Sequence, residues 1–148
     1  MSLQKQVMDK MKEAMKSKDT VALTALRALK SAFMLANTET GSDKVSEADE
    51  LKIIQKQVKQ RKDSAVVFSQ QGRADLADPE LAEAAVLEQF LPEALSEDEI
   101  EKVVNETIVK VGAEGMKDMG KVMGMVSKQL AGKADGKTIS MIVKKSLA

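Results

Sequence analysis

The sequence predicts an all-α, multihelical protein of about seven helices in two α-helical subdomains. Apolar residues recur at helical spacing through almost the whole chain, and no segment shows the strict alternation of a half-buried strand. Residues that cap helices precede several of these segments. With 43% hydrophobic residues among 148, the chain can bury a core, so global disorder is not expected.

Four helices are predicted in the N-terminal part of the chain. The first carries a stripe of Leu3, Val7, Met11 and Ala14, widened by Met8 and Met15. Asp19 caps the second helix, which buries Ala22, Leu26, Leu29 and Phe33 and is followed by a loop from Asn37 to Lys44. Ser46 opens the third helix, with Leu51, Ile54, Val58, Ala65 and Phe68 facing inward. Asp78 and Pro79 predict the cap and first residue of the fourth, which is lined by Leu81, Ala84, Ala85, Leu87, Phe90 and Leu91.

Three shorter helices are predicted after the Phe90–Ser96 stretch. Ser96 and Glu99 form a capping box for the first of them, and Gly112 ends it. Asp118 is expected to cap the second and Asp135 the third. The predicted domains are therefore an N-terminal helical subdomain, 1–93, and a C-terminal three-helix tail subdomain, 94–148.

The composition excludes most catalytic designs. Cys, His, Trp and Tyr are all absent, so disulfides, Cys/His metal sites and Ser-His-Asp or Cys-His catalysis cannot occur. We therefore expect no catalytic residues, no metal and no cofactor. No apolar run approaches the roughly 20 residues of a spanning helix, and the first residues are too polar for a signal peptide. A cytoplasmic protein without a membrane partner is the expectation.

The net charge of zero conceals an uneven distribution of charge. Ten acidic residues and no base lie between Asp75 and Glu101. A basic patch on the third helix contains Lys59, Arg61 and Lys62, and we expect it either to contact phosphates or to solubilise the helix. From Gly115 onward, seven lysines face only Asp118 and Asp135.

Residues 131–138 fit a relaxed Walker A pattern, but we do not expect nucleotide hydrolysis. A P-loop follows a buried strand, whereas here a Met-rich helix is predicted before the loop. The loop could instead contact phosphate through Lys133, Lys137 and the free N–H groups of the last helix, or it could be an ordinary turn.

The glycines and methionines of the C-terminal part each leave two interpretations open. Gly120 and Gly124 lie on one face of a helix, where each costs about 1 kcal/mol relative to Ala. Either another helix packs closely there, or RNA backbone approaches. Half of the methionines of the chain lie in this C-terminal third. These methionines either fill a core or form an adaptable docking surface.

Five ordered motifs resemble the YqeY family, and the resemblance covers the chain from end to end. They are 26–32 (LRALKSA), 59–64 (KQRKDS) with Phe68, 90–97 (FLPEALSE), 118–124 (DMGKVMG) and 132–137 (GKADGK). YqeY-like proteins are similar to the C-terminal helical and tail region of GatB, the B subunit of the tRNA-dependent Asn/Gln amidotransferase. The resemblance implies two all-α subdomains and a tail that docks on tRNA. The family's tail motif falls on Gly120, Lys121, Gly124, Gly132, Lys133, Ala134 and Asp135.

The leading hypothesis is a non-catalytic module that binds tRNA, or tRNA-like RNA, weakly through phosphate and shape, with no DNA partner expected. The candidate RNA-binding residues are Gly120, Lys121, Gly124, Lys128, Gly132, Lys133, Lys137, Lys144 and Lys145. The alternative is a protein-interaction module, an accessory to an amidotransferase or synthetase complex. A third hypothesis is carbon–nitrogen ligase activity with glutamine as amido donor, inherited by homology and only as part of a complex.

Overall fold

In the computed structural model, residues 2–41 and 45–148 are described, and they form seven α-helices and one 3₁₀ turn with no strand among them. The helices are α1 (Leu3–Ser17), α2 (Thr20–Thr40), α3 (Glu47–Gln70), α4 (Ala74–Glu88), α5 (Glu97–Val111), α6 (Met119–Gln129) and α7 (Gly136–Leu147), and the 3₁₀ turn is Met116–Asp118. The predicted all-α class with seven helices is confirmed. No described helix is long and apolar enough to span a bilayer.

The chain divides into two compact units, Met1–Leu91 and Pro92–Ala148. In the N-terminal unit, helices α1 to α4 bury a core that includes Val7, Ala25, Leu26, Leu29, Phe33, Ile54, Val58, Ala84 and Leu87. In the C-terminal unit, helices α5 to α7 pack pairwise around Ile100, Val104, Val122, Val126, Leu130, Ile139, Val143 and Leu147. Each unit therefore has a core of its own, which is the physical criterion for a domain.

Four of the predicted caps are present. Asp19 accepts a hydrogen bond from the Ala22 N–H at 3.0 Å, and Ser46 accepts one from Asp49 at 3.2 Å. Ser96 and Glu99 form the reciprocal capping box at the start of α5. Asp135 accepts a hydrogen bond from the Thr138 N–H at 2.6 Å at the start of α7. Each cap satisfies a backbone donor that the first helical turn leaves free.

Two predicted boundaries are wrong. Helix α2 continues to Thr40, so residues 37–40 of the expected loop are helical; Gly41 ends the helix with φ +66°, and residues 42–44 lie outside the described ranges. Helix α4 begins at Ala74 and contains Pro79 in its interior. The helix can start this early because the chain already reverses direction at Gly72, where φ is +72°. The helical turn before Pro79 is stabilised by burial of Ala77.

Three side-chain placements also differ from prediction. Asp118 precedes α6 without capping its first turn, because its carboxylate accepts a hydrogen bond from the Glu114 N–H instead. Met8 and Met15 are about half exposed and do not widen the buried stripe of α1. On α4, Leu81 and Ala85 point to solvent, whereas Ala77, Ala84 and Leu87 are buried.

Candidate nucleic-acid interface

The exposed side of α6 carries two lysines and two glycines. Val122 and Val126 are fully buried, which turns the opposite side of the helix to solvent. That side presents the predicted residues Gly120, Lys121, Gly124 and Lys128, all of which are exposed. Spacings of three and four residues place them on one face. The structure therefore brings these four candidates together.

The exposed side of α7 carries three more of the predicted lysines. Ile139, Val143 and Leu147 are buried, and Lys137, Lys144 and Lys145 are exposed on the other side. Met141 lies among them with 64% of its surface exposed, and Met125 on α6 is 37% exposed. The interpretation that the methionines fill a core is therefore wrong for Met125 and Met141. Their spacing from Lys121 and Lys137, four residues in each case, was the sequence signal that could have placed them on the lysine-bearing faces.

The connection between α6 and α7 positions Lys133. Gly132 is buried and has φ +81°, a conformation that favours glycine, so it shapes the turn and does not face solvent. The backbone of Lys133 is fixed on both sides: its N–H donates to the Leu130 carbonyl, and its carbonyl accepts from the Leu95 N–H, each at 2.9 Å. The Lys133 side chain remains exposed.

The start of α7 is not free, contrary to expectation. The Asp135 carboxylate bonds to the Thr138 N–H, so it already occupies a donor that a phosphate would use. A negative charge at this position also opposes an incoming anion. In addition, α6 stands where a P-loop requires a strand. The phosphate-binding capacity of this corner therefore rests on the lysine side chains.

Six lysines on α6, on α7 and in the connection between them have no carboxylate partner among the described residues. We call the six residues Lys121, Lys128, Lys133, Lys137, Lys144 and Lys145 the tail lysines. Within the described ranges, no carboxylate oxygen lies within 4.0 Å of any of their ammonium groups. Asp135 is the one acidic residue of the sequence between Met119 and Ala148. Their positive charge is therefore available to a ligand.

The basic patch on α3 differs, because each of its cations faces an acid. Lys59 lies 2.9 Å from Asp63, Arg61 lies 3.9 Å from Glu83, and Lys62 pairs with Glu88. The Arg61 and Glu83 side chains are only 12% and 15% exposed. Burial raises the pKa of Glu83, and the Arg61 charge opposes that shift. The Arg61–Glu83 and Lys62–Glu88 contacts join α3 to α4, so part of the patch is structural.

The two glycines of α6 are not explained by packing against the described residues of the C-terminal unit. A Cβ atom built at Gly120 or Gly124 would meet no described atom within 4 Å. Both residues are exposed. The expectation that another helix packs closely against them is therefore wrong for the described helices of the C-terminal unit. The free-energy cost of placing glycine in a helix is therefore not compensated by any contact in the described structure.

Five of the nine acidic residues of the C-terminal unit lie on α5, which carries none of the tail lysines. Helix α5 exposes Glu97, Asp98, Glu99, Glu101 and Glu106, and its exposed lysines are Lys102 and Lys110. A polyanion would be repelled by the α5 surface and attracted by the surfaces of α6 and α7. The C-terminal unit is thus electrostatically polarised.

Comparison with models of known protein families identifies the family of this chain. The model of the Yqey-like protein family matches residues 4–147. This chain belongs to the YqeY family. The resemblance drawn from its ordered motifs is confirmed.

Two kinds of relative are similar to this member of the YqeY family. The altered inheritance of mitochondria protein 41 of Pyrenophora tritici-repentis is 31% identical over 126 residues, which are 84% of this chain and 68% of that protein. A component of the glutamyl-tRNA(Gln) amidotransferase of Thermococcus gammatolerans is 36% identical over 73 residues, or 47% of this chain. The match spans only 12% of the length of that archaeal protein. The predicted relationship of the family to a tRNA-dependent amidotransferase is confirmed.

Proposed function

We propose that this protein is a non-catalytic module that binds tRNA, or tRNA-like RNA, through the exposed sides of α6 and α7. The observation that carries the proposal is the set of tail lysines, none of which has a carboxylate within 4.0 Å in the described ranges. An unpaired lysine can neutralise a phosphate and release a counterion without first breaking an internal ion pair. The paired cations of α3 lack this advantage.

The glycines of α6 support the same surface. Because neither Gly120 nor Gly124 has a side chain, a ligand can approach the helix backbone between Lys121 and Lys128. The resulting backbone contact would compensate the helix propensity that each glycine loses, about 1 kcal/mol relative to Ala. This is the second of the two sequence-based interpretations, and the open space around both residues favours it.

The chemistry of the C-terminal unit favours recognition of backbone and shape. Phe33, Phe68 and Phe90 are the three aromatic residues of the chain, and all of them precede Pro92. A surface without aromatic rings cannot stack on unpaired bases. Lysines on helix surfaces suit the phosphates of a duplex, which tRNA presents in its stems.

Fluorescence anisotropy of labelled tRNA at about 50 and about 200 mM salt tests the proposal. If all six tail lysines contact phosphates, affinity should fall by up to about a thousandfold between these conditions. Lys133→Gln with Lys137→Gln should weaken binding strongly. Lys59→Gln with Lys62→Gln removes the same charge from the paired α3 patch and should change it little. Absence of saturable binding at the lower salt, or equal losses in the two double variants, would contradict the proposal.

A protein-docking function is the second candidate, and the exposure of Met125 and Met141 is the observation that favours it. Flexible thioether side chains suit an adaptable apolar interface. Docking through them would depend little on salt, so the same titration with a candidate protein partner separates the two functions. The archaeal relative is named as part of an amidotransferase. For the present protein, a part in amide transfer would require a glutamine-dependent reaction that stops when this protein is withdrawn.

The cytoplasmic location expected from the sequence stays a prediction. Two fungal relatives are named as mitochondrial. Subcellular fractionation followed by immunodetection of the full chain would decide between these compartments.

A further inference from the structure

Helix α2 has an exposed side that is both basic and apolar. Arg27 and Lys30 are exposed, and no carboxylate oxygen of the described residues lies within 4.0 Å of their charged groups. Met34 and Leu35 follow within two helical turns and are 59% and 61% exposed. The sequence has no acidic residue from Thr20 to Thr38. A ligand complementary to this side therefore combines negative charge with apolar surface.

The exposed residues of α2 follow the spacing of a helix–helix contact. Five of them lie alternately three and four residues apart, and we call them the α2 seam: Thr24, Arg27, Ser31, Met34 and Thr38. This is the spacing of the core positions of a coiled coil, where a second helix meets one residue after another. Large and small side chains alternate along the seam. The small ones leave space for large side chains of a second helix.

The motif at 26–32 supplies residues to both sides of α2. Leu26 and Leu29 are buried in the core of the N-terminal unit. Arg27, Lys30 and Ser31 are exposed on the other side. Packing within the N-terminal unit therefore accounts for the leucines of this motif and leaves its two cations available to a ligand.

The hydroxyl groups of the seam favour a protein ligand over a nucleic acid. Thr24 Oγ1 donates a hydrogen bond to the Thr20 carbonyl at 2.9 Å, and Thr38 Oγ1 donates one to the Met34 carbonyl at 3.0 Å. A hydroxyl has one proton, so these two groups have none left to donate to a phosphate. Met34 and Leu35 also gain nothing from a charged phosphate backbone, whereas apolar side chains of a protein would remove them from water.

The polar residues of the seam disfavour a lipid surface. A helix that lies in a membrane interface inserts a continuous apolar side. Arg27 and Ser31 interrupt the exposed side of α2, and the continuous apolar side of this helix, which includes Leu26, Leu29 and Phe33, is buried in the core.

We propose that the α2 seam binds an acidic, amphipathic helix of a partner protein. Carboxylates of that helix pair with Arg27 and Lys30, and its aliphatic side chains cover Met34 and Leu35. A single pair of helices over about four turns makes a small interface, so the association is weak and reversible. The residues involved are different from the tail lysines, so this docking does not depend on the RNA binding proposed above.

NMR with a designed peptide tests the proposal. The probe is an acidic helical peptide of about 21 residues, three heptads of Glu, Ala and Leu, and its counterpart with Lys in place of each Glu is the ligand control. Labelling the methyl groups of the ten methionines with ¹³C locates binding on the protein. The acidic peptide should shift the Met34 signal and leave unchanged that of Met15, which is 51% exposed on α1. Equal binding of the lysine peptide, or no shift of Met34 at about 1 mM acidic peptide, would overturn the proposal.

Charge reversal on α2 tests the predicted ion pairs. Arg27→Glu with Lys30→Glu should weaken binding of the acidic peptide about tenfold or more. Lys5→Glu with Lys12→Glu makes the same change of charge at exposed positions of α1 and should weaken it by less than about twofold. All four side chains are exposed, so both variants should fold, which far-UV circular dichroism checks. Equal losses in the two variants would show attraction to net charge alone and would overturn the proposal.

Titrations with tRNA and with vesicles of phosphatidylserine and phosphatidylcholine complete the test. By the RNA-binding proposal, tRNA should shift Met125 and Met141 and leave Met34 unchanged. A shift of Met34 by tRNA or by vesicles, with none by the acidic peptide, would assign α2 to that other ligand and overturn the docking proposal. A shift of Met34 by the peptide, with no methionine shifted by tRNA, would support docking on α2 and contradict the RNA-binding proposal alone.

Discussion

The carboxylate of Glu50 on α3 lies beside Gln4 in the first turn of α1, and the backbone N–H and side-chain amide of Gln4 stabilise its charged form. Glu50 is only 7% exposed, and its Oε2 atom has no hydrogen-bond partner in the described structure. Ser2 caps the Lys5 N–H in the same turn. A residue 46 positions further along the chain thus lies at the start of α1, a proximity that the sequence pattern did not indicate.

The burial of Glu50 predicts a pH dependence of stability. Burial raises the pKa of Glu50 above its ordinary value of 4.5, the charge of Glu47 adds to the shift, and the hydrogen bonds from Gln4 oppose it. The folded state therefore retains a proton that the unfolded state has lost. Stability from this residue is full below pH 4.5 and declines as pH rises through the folded pKa. Thermal melting from about pH 4 to 8 should show a smaller decline in Glu50→Gln than in the wild type. Glu93→Gln, at an exposed site, should follow the wild type, and parallel curves for all three proteins would contradict the assignment.

Substitutions of Asp135 should separate capping from charge. Asp135→Ala removes the acceptor of the Thr138 N–H and should lower the unfolding free energy by about 1 kcal/mol. Asp135→Asn keeps a capping oxygen and should leave stability nearly unchanged. Because it removes the acidic charge that adjoins the tail lysines, it should also tighten RNA binding a few-fold. Urea unfolding and tRNA anisotropy measure the two effects. Weaker RNA binding by Asp135→Asn would show that the carboxylate serves the ligand directly.

The glycines of α6 should affect stability and binding in opposite directions. Gly120→Ala with Gly124→Ala should stabilise the protein by up to about 1 kcal/mol per site, since a Cβ atom meets nothing and helix propensity improves. The same methyl groups should reduce tRNA affinity by about tenfold, or 1.4 kcal/mol, if RNA backbone lies against the helix. Gln129→Ala, also exposed on α6, is the control. Gain of stability with unchanged affinity would remove the glycines from the interface.

We expect the two units to unfold separately. Leu87 and Ile139 are fully buried in different cores. Leu87→Ala and Ile139→Ala should each cost about 2 to 5 kcal/mol. In differential scanning calorimetry, each substitution should lower the transition of its own unit alone. One common transition that both variants lower equally would mean that the units unfold cooperatively.

Local patterns along the chain were sufficient to predict the helical class, the family and the starts of four helices. Asp19, Ser46, Ser96 and Asp135 cap as predicted, because a cap joins a side chain to an N–H three residues away. Such contacts are encoded in neighbouring positions. The candidate lysines of the tail could be named for the same reason, since helical spacing decides which residues share an exposed side.

Which charged groups and which helix faces stay accessible depends instead on how the helices pack. Lys62 and Glu88 lie on different helices, so their pairing, like the burial of Glu50, depends on how those helices pack. The same packing leaves Gly120 and Gly124 open and turns Leu81 outward. These properties arise from contacts between residues distant in the chain, where burial outweighs local preference. Local pattern therefore determined the helices, and packing between them determined which surfaces remain for a ligand.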